Sequence, residues 1–392
     1  MSQVDAIARS RLAEIRARGT HRRMRVLDGA QGPRMHVDGR EVLLFAGSNY
    51  LDLAHHPEVV EASVRASRDL GCAAAGSRLI NGNLALHEEL EEALAKFLGA
   101  DAALAFNTGY MANVGVIPAL VGPGDVVVSD ALSHASIIDG CRLSKARVRV
   151  FRHGDLGDLA AALAEAARAG GRVLLAIDGV YSMDGDVAPL ADMLALARGH
   201  GAMVLLDDAH GTGTLGASGR GTAEHCGVGA GDVDVLLGTL GKSLGSFGAF
   251  VAGSRGLREL LVNTARSFIF SCALAPPQVA ASIAALRVVE REPWRRFALQ
   301  RNAARLRRRL AERGLGSEPS TTHIVPVRIG ANDATMRVCE RLLERGFYAQ
   351  GIRHPSVPEG TARLRVTLMA THGEDEIDAL ADAIHEAVAA EA

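Results

Sequence analysis

Short, mostly apolar runs recur along the first two thirds of the chain, at 103–106, 126–128, 148–151, 173–177, 203–206, 233–237 and 249–252. Each is too short for a helix and most lack a polar face, which predicts buried strands of a mostly parallel sheet. Between them, 156–169 and 190–198 carry apolar residues at helical spacing, as βαβ crossovers require. A helix over 84–98 is marked by Leu86, Leu90, Leu94 and Phe97 on one face, a Glu92/Lys96 pair, and Gly99 as its stop. Pro189 suits the first turn of the helix over 190–198.

Beyond Pro276-Pro277 the texture changes. A long arginine-rich helix over 294–313 is followed by a strand at 324–327, a helix at 337–345, a strand at 363–366 and a terminal helix. This predicts an α/β chain: an N-terminal segment (1–50), a large mostly parallel-sheet domain (51–285) and a smaller C-terminal α+β domain (286–392). The run Arg305, Arg307, Arg308, Arg309 is expected to be a solvated helix face and not a phosphate or nucleic-acid patch.

Composition narrows the function classes. A formal net charge of −2 gives no whole-molecule attraction to nucleic acid or to anionic membranes. Apolar residues make up 48% of the chain, yet no uninterrupted 18-residue apolar run occurs, so no membrane span is expected. Residues 1–23 mix acids and arginines without the apolar stretch of a signal peptide, and a cytoplasmic location is expected. The five cysteines are widely spaced with no C-x-x-C, which argues against a disulfide framework or a zinc site and for reduced, mostly buried thiols. Of 43 basic residues only Lys96, Lys145 and Lys242 are lysines, so amine chemistry has three candidates.

Two phosphate-loop patterns are decoys. Gly211-Thr-Gly-Thr-Leu-Gly216 fits G-x-G-x-x-G, but the residues after it have no apolar helical face, so a glycine-rich turn is the better reading. Gly241-Lys242-Ser243 resembles the end of a P-loop, but the required first glycine falls on Leu236, inside a strand. What remains gathers at strand ends, where open α/β sheets place ligands. Lys242 follows a strand within Gly-Thr-Leu-Gly-Lys-Ser-Leu-Gly, where small residues admit a cofactor and the hydroxyls of Thr239 and Ser243 suit phosphate. Lys96 lies on an amphipathic helix and Lys145 in an arginine-rich turn, so only Lys242 has the apolar, glycine-lined surroundings that favour a nucleophilic amine. Asp207 ends another strand, where a buried carboxylate needs a cation such as a protonated pyridine nitrogen. His134, in Ser-His-Ala-Ser, also follows a strand end, where an imidazole can lie flat on an aromatic cofactor.

These residues, in this order, resemble the α-oxoamine synthases, pyridoxal-5'-phosphate (PLP) enzymes of fold-type I with the aspartate-aminotransferase-like architecture. The similarity runs from Gly32-Pro33-Arg34 to Thr371-His372. The resemblance implies that Gly109, Tyr110, Ser182 and Thr239 lie on the cofactor's phosphate side or beside its ring. It implies that His134 stacks on the ring, Asp207 pairs with the pyridinium, His210 binds the ring hydroxyl and Lys242 is the Schiff-base lysine. Arg365 and Asn49 are the implied amino-acid contacts. The reaction implied is decarboxylative condensation of a small amino acid with an acyl-CoA, in a homodimer with its site at the interface. Four substrate pairs compete within the family: L-alanine with pimeloyl-CoA, serine with palmitoyl-CoA, and glycine with acetyl-CoA or succinyl-CoA. Segments 31–34, 268–277, 292–294 and 357–365 resemble the first, whereas 76–82, 109–113 and 138–141 resemble the second, and the first is expected. The chain departs from the family pattern at Ser48-Asn49-Tyr50-Leu51-Asp52, at Asp178 in place of Glu, at Cys272 in place of Thr and at His354 in place of Pro.

Overall fold

The apolar runs fold as β1 (Ala102–Phe106), β2 (Val126–Asp130), β3 (Arg147–Phe151), β4 (Val173–Asp178), β5 (Met203–Asp207), β6 (Val235–Thr239) and β7 (Ala249–Gly253). They form one seven-stranded sheet in the order β1-β7-β6-β5-β4-β2-β3. The neighbours from β6 to β3 are parallel. Strand β7 is antiparallel to both β6 and β1, the exception in this mostly parallel sheet. Only residues 240–248 separate β6 from β7, too few for a crossover helix, so the chain must turn straight back. Strand β6 also starts two residues later than its apolar run, because the Asp234 carboxylate accepts the Val204 amide at 2.7 Å just ahead of it.

The computed structural model describes residues 2–317 and 319–391, which divide into two compact units. The larger, Ser48–Ser182 with Asp186–Leu299, holds this sheet. Its core packs Leu104, Ile117, Val127, Ile137, Leu174, Leu205, Leu237 and Val251. Helices Gly109–Leu120 and Ala135–Ser144 follow the ends of β1 and β2 and bring their first turns to the same edge as the ends of β5 and β6. The glycine-rich stretch after β5 is a series of turns closed by Asp208, which accepts the Thr212 hydroxyl and the Thr222 amide and hydroxyl. No helix starts at the G-x-G-x-x-G pattern.

The smaller unit comprises the described residues of 2–47, 183–185 and 300–391. It holds a three-stranded antiparallel sheet, Ile324–Gly330, Ala362–Thr367 and Gln350–Ile352, with the second strand central. The N-terminal helix Gln3–Ala17, capped reciprocally by Ser2 and Asp5, buries none of its residues. The arginine run is not a plainly solvated face. Arg305 binds Asp378 and Glu374, Arg309 reaches Glu312 and Asp378, and Arg307 donates to the Thr322 carbonyl. Arg308 alone of the four is exposed. The acids of the terminal helix Glu374–Ala389, spaced at 374 and 378, supply this second layer of charge.

The cysteines are free, but only Cys141 and Cys339 are buried; Cys72 and Cys272 are exposed, lying on surface segments and not on the sheet. Burial pushes the Cys141 thiol up to about 11 and Cys339 up to about 12. Among the described residues no helix is long and apolar enough to cross a membrane, and no cluster of three metal-ligating side chains occurs.

Candidate active site

Lys242 stands in the turn between β6 and β7. A Cβ at Gly245 would lie 2.3 Å from the Ala54 amide nitrogen, so only glycine, at φ +59°, lets this turn pack against Leu53 and Ala54. The Lys242 Nζ is 3.0 Å from His210 Nε2, and His210 Nδ1 is 2.8 Å from the Tyr50 hydroxyl.

Asp207, the last residue of β5, is in register with Asp178 at the end of β4, and both are buried. The Asn113 amide donates to Asp207 Oδ2 at 2.7 Å and to Ser136 Oγ at 2.9 Å, while Asp207 Oδ1 accepts the Ala209 amide at 3.1 Å. His134 caps the helix Ala135–Ser144: its Nδ1 accepts the Ser136 amide at 3.2 Å and lies 2.7 Å from the Ser136 hydroxyl. Its own backbone amide donates to Asp178 Oδ2 at 3.0 Å.

Charge follows from this packing. Burial pushes His134 below the ordinary imidazole range, with Asp207 opposing and Lys242 adding to the shift. Burial first, and the adjacent Asp207 charge second, push Asp178 well above the usual carboxylate range. Two carboxylates thus share one desolvated corner, where burial and the neighbouring charge favour the protonated form of Asp178 more than the Lys242 charge opposes it.

Gly109 opens its helix and Thr239 ends β6. A Cβ at position 109 would come 2.9 Å from Thr239 Cγ2, so these two predicted residues touch. The first amides of a helix have no acceptor within it, and here the Thr108 hydroxyl accepts one of them, from Met111, at 3.1 Å. Thr239 Oγ1 donates to the Ala209 carbonyl at 3.3 Å. Tyr110 is half exposed and donates its hydroxyl to Asp139 at 2.8 Å. Ser182 is half buried in the turn after β4. The Asn49 amide folds its own turn, accepting the Leu53 and Ala54 amides at 3.0 and 3.1 Å and donating to Asp52 at 3.2 Å. Arg365 lies in the central strand of the smaller unit's sheet.

The family model "Aminotransferase class I and II" matches residues 40–384. The 8-amino-7-oxononanoate synthase of Geobacter sulfurreducens is 52% identical over 369 residues, covering 94% of this chain and 94% of that protein. The chain belongs to the α-oxoamine synthase family. Among solved structures, the serine palmitoyltransferase of Sphingomonas wittichii is 35% identical, with a TM-score of 0.92 over 99% of this chain and 98% of that one. A serine palmitoyltransferase of S. paucimobilis with bound PLP is 33% identical, with a TM-score of 0.93 over 100% and 99% of the two chains.

The residues of this α-oxoamine synthase fit PLP. A protonated ring nitrogen would supply the positive charge that the Asp178/Asp207 corner lacks. The buried Asn113 Oδ1, which has no protein partner, marks the same corner as built for a further group. The larger unit brings together Lys242, His210, Asp207, His134, Thr239 and Gly109.

Sequence reasoning misses Asn113, Ser136 and Tyr50 as site residues and treats Asp178 only as a departure from pattern. One signal was present: Asn113 is the lone amide in an otherwise apolar helical stretch, Ala112 to Leu120, and such a residue needs a buried partner. His153 is also missed. Its ring bridges Asp130 and Asp186, each at 2.9 Å, and meets the Tyr181 ring edge-on at 4.4 Å.

Proposed function

We propose that this chain condenses L-alanine with pimeloyl-CoA in a PLP-dependent reaction, releasing CoA and CO2 and giving 8-amino-7-oxononanoate, a step of biotin biosynthesis. The observation that carries the reading is the line Lys242–His210 beside the buried Asp207, on a chain 52% identical to a synthase of that name. The solved serine palmitoyltransferases support the shared fold, but at 33–35% identity they favour the palmitoyl reading less.

When bound, PLP supplies an aldehyde that bonds an amine and a ring that accepts the electron pair left by loss of the amino acid's α-proton or carboxylate. The chain's residues do the rest. Lys242 offers its amine, and once released it is the base that takes the α-proton at Nζ. Asp207, fixed by the Asn113 amide and the Ala209 N–H, holds a proton on the ring nitrogen. His134 lies neutral and flat, because the Ser136 amide occupies its Nδ1, leaving Nε2–H as a donor toward a developing oxyanion. His210 presents Nε2 to the ring oxygen, the turn at Gly109 and Thr239 takes the phosphate, with Tyr110 and Ser182 beside it. Arg365 grips the substrate carboxylate, its fork geometry suited to two oxygens, and Asn49 orders the turn beneath the amino acid.

The working form is a homodimer in the cytoplasm. Leu79 and Ile80 are 51% and 83% exposed, and Phe270 is 70% exposed. Their segments are joined where the Ala273 amide donates to the Gly76 carbonyl, and these exposed apolar side chains support the dimer reading. Sedimentation at micromolar concentration yielding only a 41.1 kDa species would remove the dimer.

The function is tested by CoA release with L-alanine, L-serine and glycine, each against pimeloyl-, palmitoyl-, acetyl- and succinyl-CoA. Alanine with pimeloyl-CoA is expected to be fastest; a clear win for serine with palmitoyl-CoA overturns the acyl assignment. Lys242→Ala is expected to lose borohydride-fixable cofactor and at least about 10^3-fold in rate. Normal turnover by that variant would refute the site.

A further inference from the structure

Tyr50 is 1% exposed, and no step described above uses it. Its hydroxyl is 2.8 Å from His210 Nδ1, and the far nitrogen of the same ring, Nε2, is 3.0 Å from Lys242 Nζ. Three proton-bearing groups therefore stand in line, from a buried phenol to the reactive amine. The packing of Gly245 on Ala54 fastens the Lys242 turn to the segment that carries Tyr50, which keeps the line in register.

A neutral imidazole carries its proton on one nitrogen only, so the partner at Nδ1 decides what Nε2 can offer. When Lys242 is an ammonium it donates to Nε2. The ring proton is then on Nδ1, and the Tyr50 oxygen accepts it. When the line has lost one proton to solvent, Nε2 carries the ring proton and donates to the neutral amine. Nδ1 then needs a donor, and the Tyr50 hydroxyl supplies one by turning about its C–O bond. A hydroxyl serves both states because it both donates and accepts, whereas a phenyl ring does neither.

We propose that Tyr50 is a positioning residue that sets the tautomer of His210 and, through it, the proton on Lys242. The inference rests on the reading of Lys242 as the cofactor-bonding amine and extends that reading to the buried phenol on the far side of His210.

The test is Tyr50→Phe in the PLP-loaded protein, read by the pH midpoint of its visible absorption and by kcat and KM for alanine. The expected result is PLP uptake and thermal midpoint close to wild type, an absorption midpoint moved by about one pH unit, kcat down about tenfold and KM within about threefold. An unmoved midpoint with wild-type kcat overturns the proposal. Should the Phe variant fold poorly, replacing the four tyrosines by 3-fluorotyrosine keeps the ring and strengthens the phenol as a donor. Tyr110→Phe protein carrying the same replacement is the control. A shift of the midpoint in both supports Tyr50, and no shift overturns it. Wild-type protein in which borohydride fixes no cofactor on Lys242 would overturn the functional reading and this proposal together. A fixed Lys242 with an indistinguishable Phe variant defeats the proposal alone.

Discussion

His134 and His153 lie in the same unit, each close to buried carboxylates, and they are held in opposite protonation states. Half-burial lowers His153, but its hydrogen bonds to Asp130 and Asp186 outweigh that and raise it to about 10. His134 is lowered, chiefly by burial. The difference lies in which atoms the carboxylates touch. Asp130 and Asp186 bond both ring nitrogens of His153, so the ring must be a cation to satisfy them. Asp178 bonds the backbone of His134, and the Ser136 amide takes its ring nitrogen, which requires a lone pair there. A carboxylate near a histidine therefore says little until the contacting atom is known. One ring is a charged clamp between the turns after β2 and β4; the other is a neutral ring that caps its own helix.

Of the substitutions that bear on these two histidines, Asp207→Asn should have the largest effect. It removes the charge that opposes the burial of His134 and, on the reading above, the partner of the cofactor's ring nitrogen. Turnover should fall by about 10^2- to 10^3-fold, measured as CoA release, while the alkaline stability of the fold stays as in wild type because His153 is untouched. Wild-type turnover in this variant would separate Asp207 from the reaction.

His153→Gln should act on stability. Glutamine carries its donors on a single nitrogen and has no charge, so both acids lose their cation. The Asp130 side chain is 0% exposed and that of Asp186 16%, so the loss near neutral pH should be about 2–4 kcal/mol, measured by urea denaturation. The sign with pH follows from a raised folded value. The clamp contributes fully below about 6.5, the unfolded value, and its contribution fades as pH climbs through about 10. The gap between wild type and variant should accordingly close from pH 6.5 to 10. A constant gap would mean the ring is not a cation.

Much of this arrangement could be read before folding, and the boundary is physical. Lys242 stood out because only one of three lysines has apolar, glycine-lined surroundings, and strands β1, β2, β4, β5 and β6 stood out because a doubly covered sheet demands runs apolar on both faces, whereas edge strand β3 alternates arginine with valine and leaves Val148 and Val150 exposed. The direction of β7 did not, since it depends on the length of one turn. His153 and Ser136 were silent because a single polar residue reveals nothing of its partners 23 or 33 positions away. The arginine run misled because the acids that cover it come from a helix some 70 residues on.

The smallest expected effect sharpens the comparison most. Ser136 offers His134 two donors, its hydroxyl and its backbone amide, and only the first is removed by Ser136→Ala. If the amide is what keeps His134 neutral, the variant should lose only about 1 kcal/mol, for the Asn113–Ser136 and His134–Ser136 side-chain bonds, with turnover reduced by no more than about threefold. A lowered folded value also makes His134 a source of stability that is present above about 6.5 and lost as pH falls through it, the mirror image of His153. His134→Gln should erase that acid limb, and Ser136→Ala should leave it standing. If the two variants erase it equally, the hydroxyl and not the amide holds the tautomer, and the neutral ring is then a property of one removable side chain and not of the helix start that His134 caps.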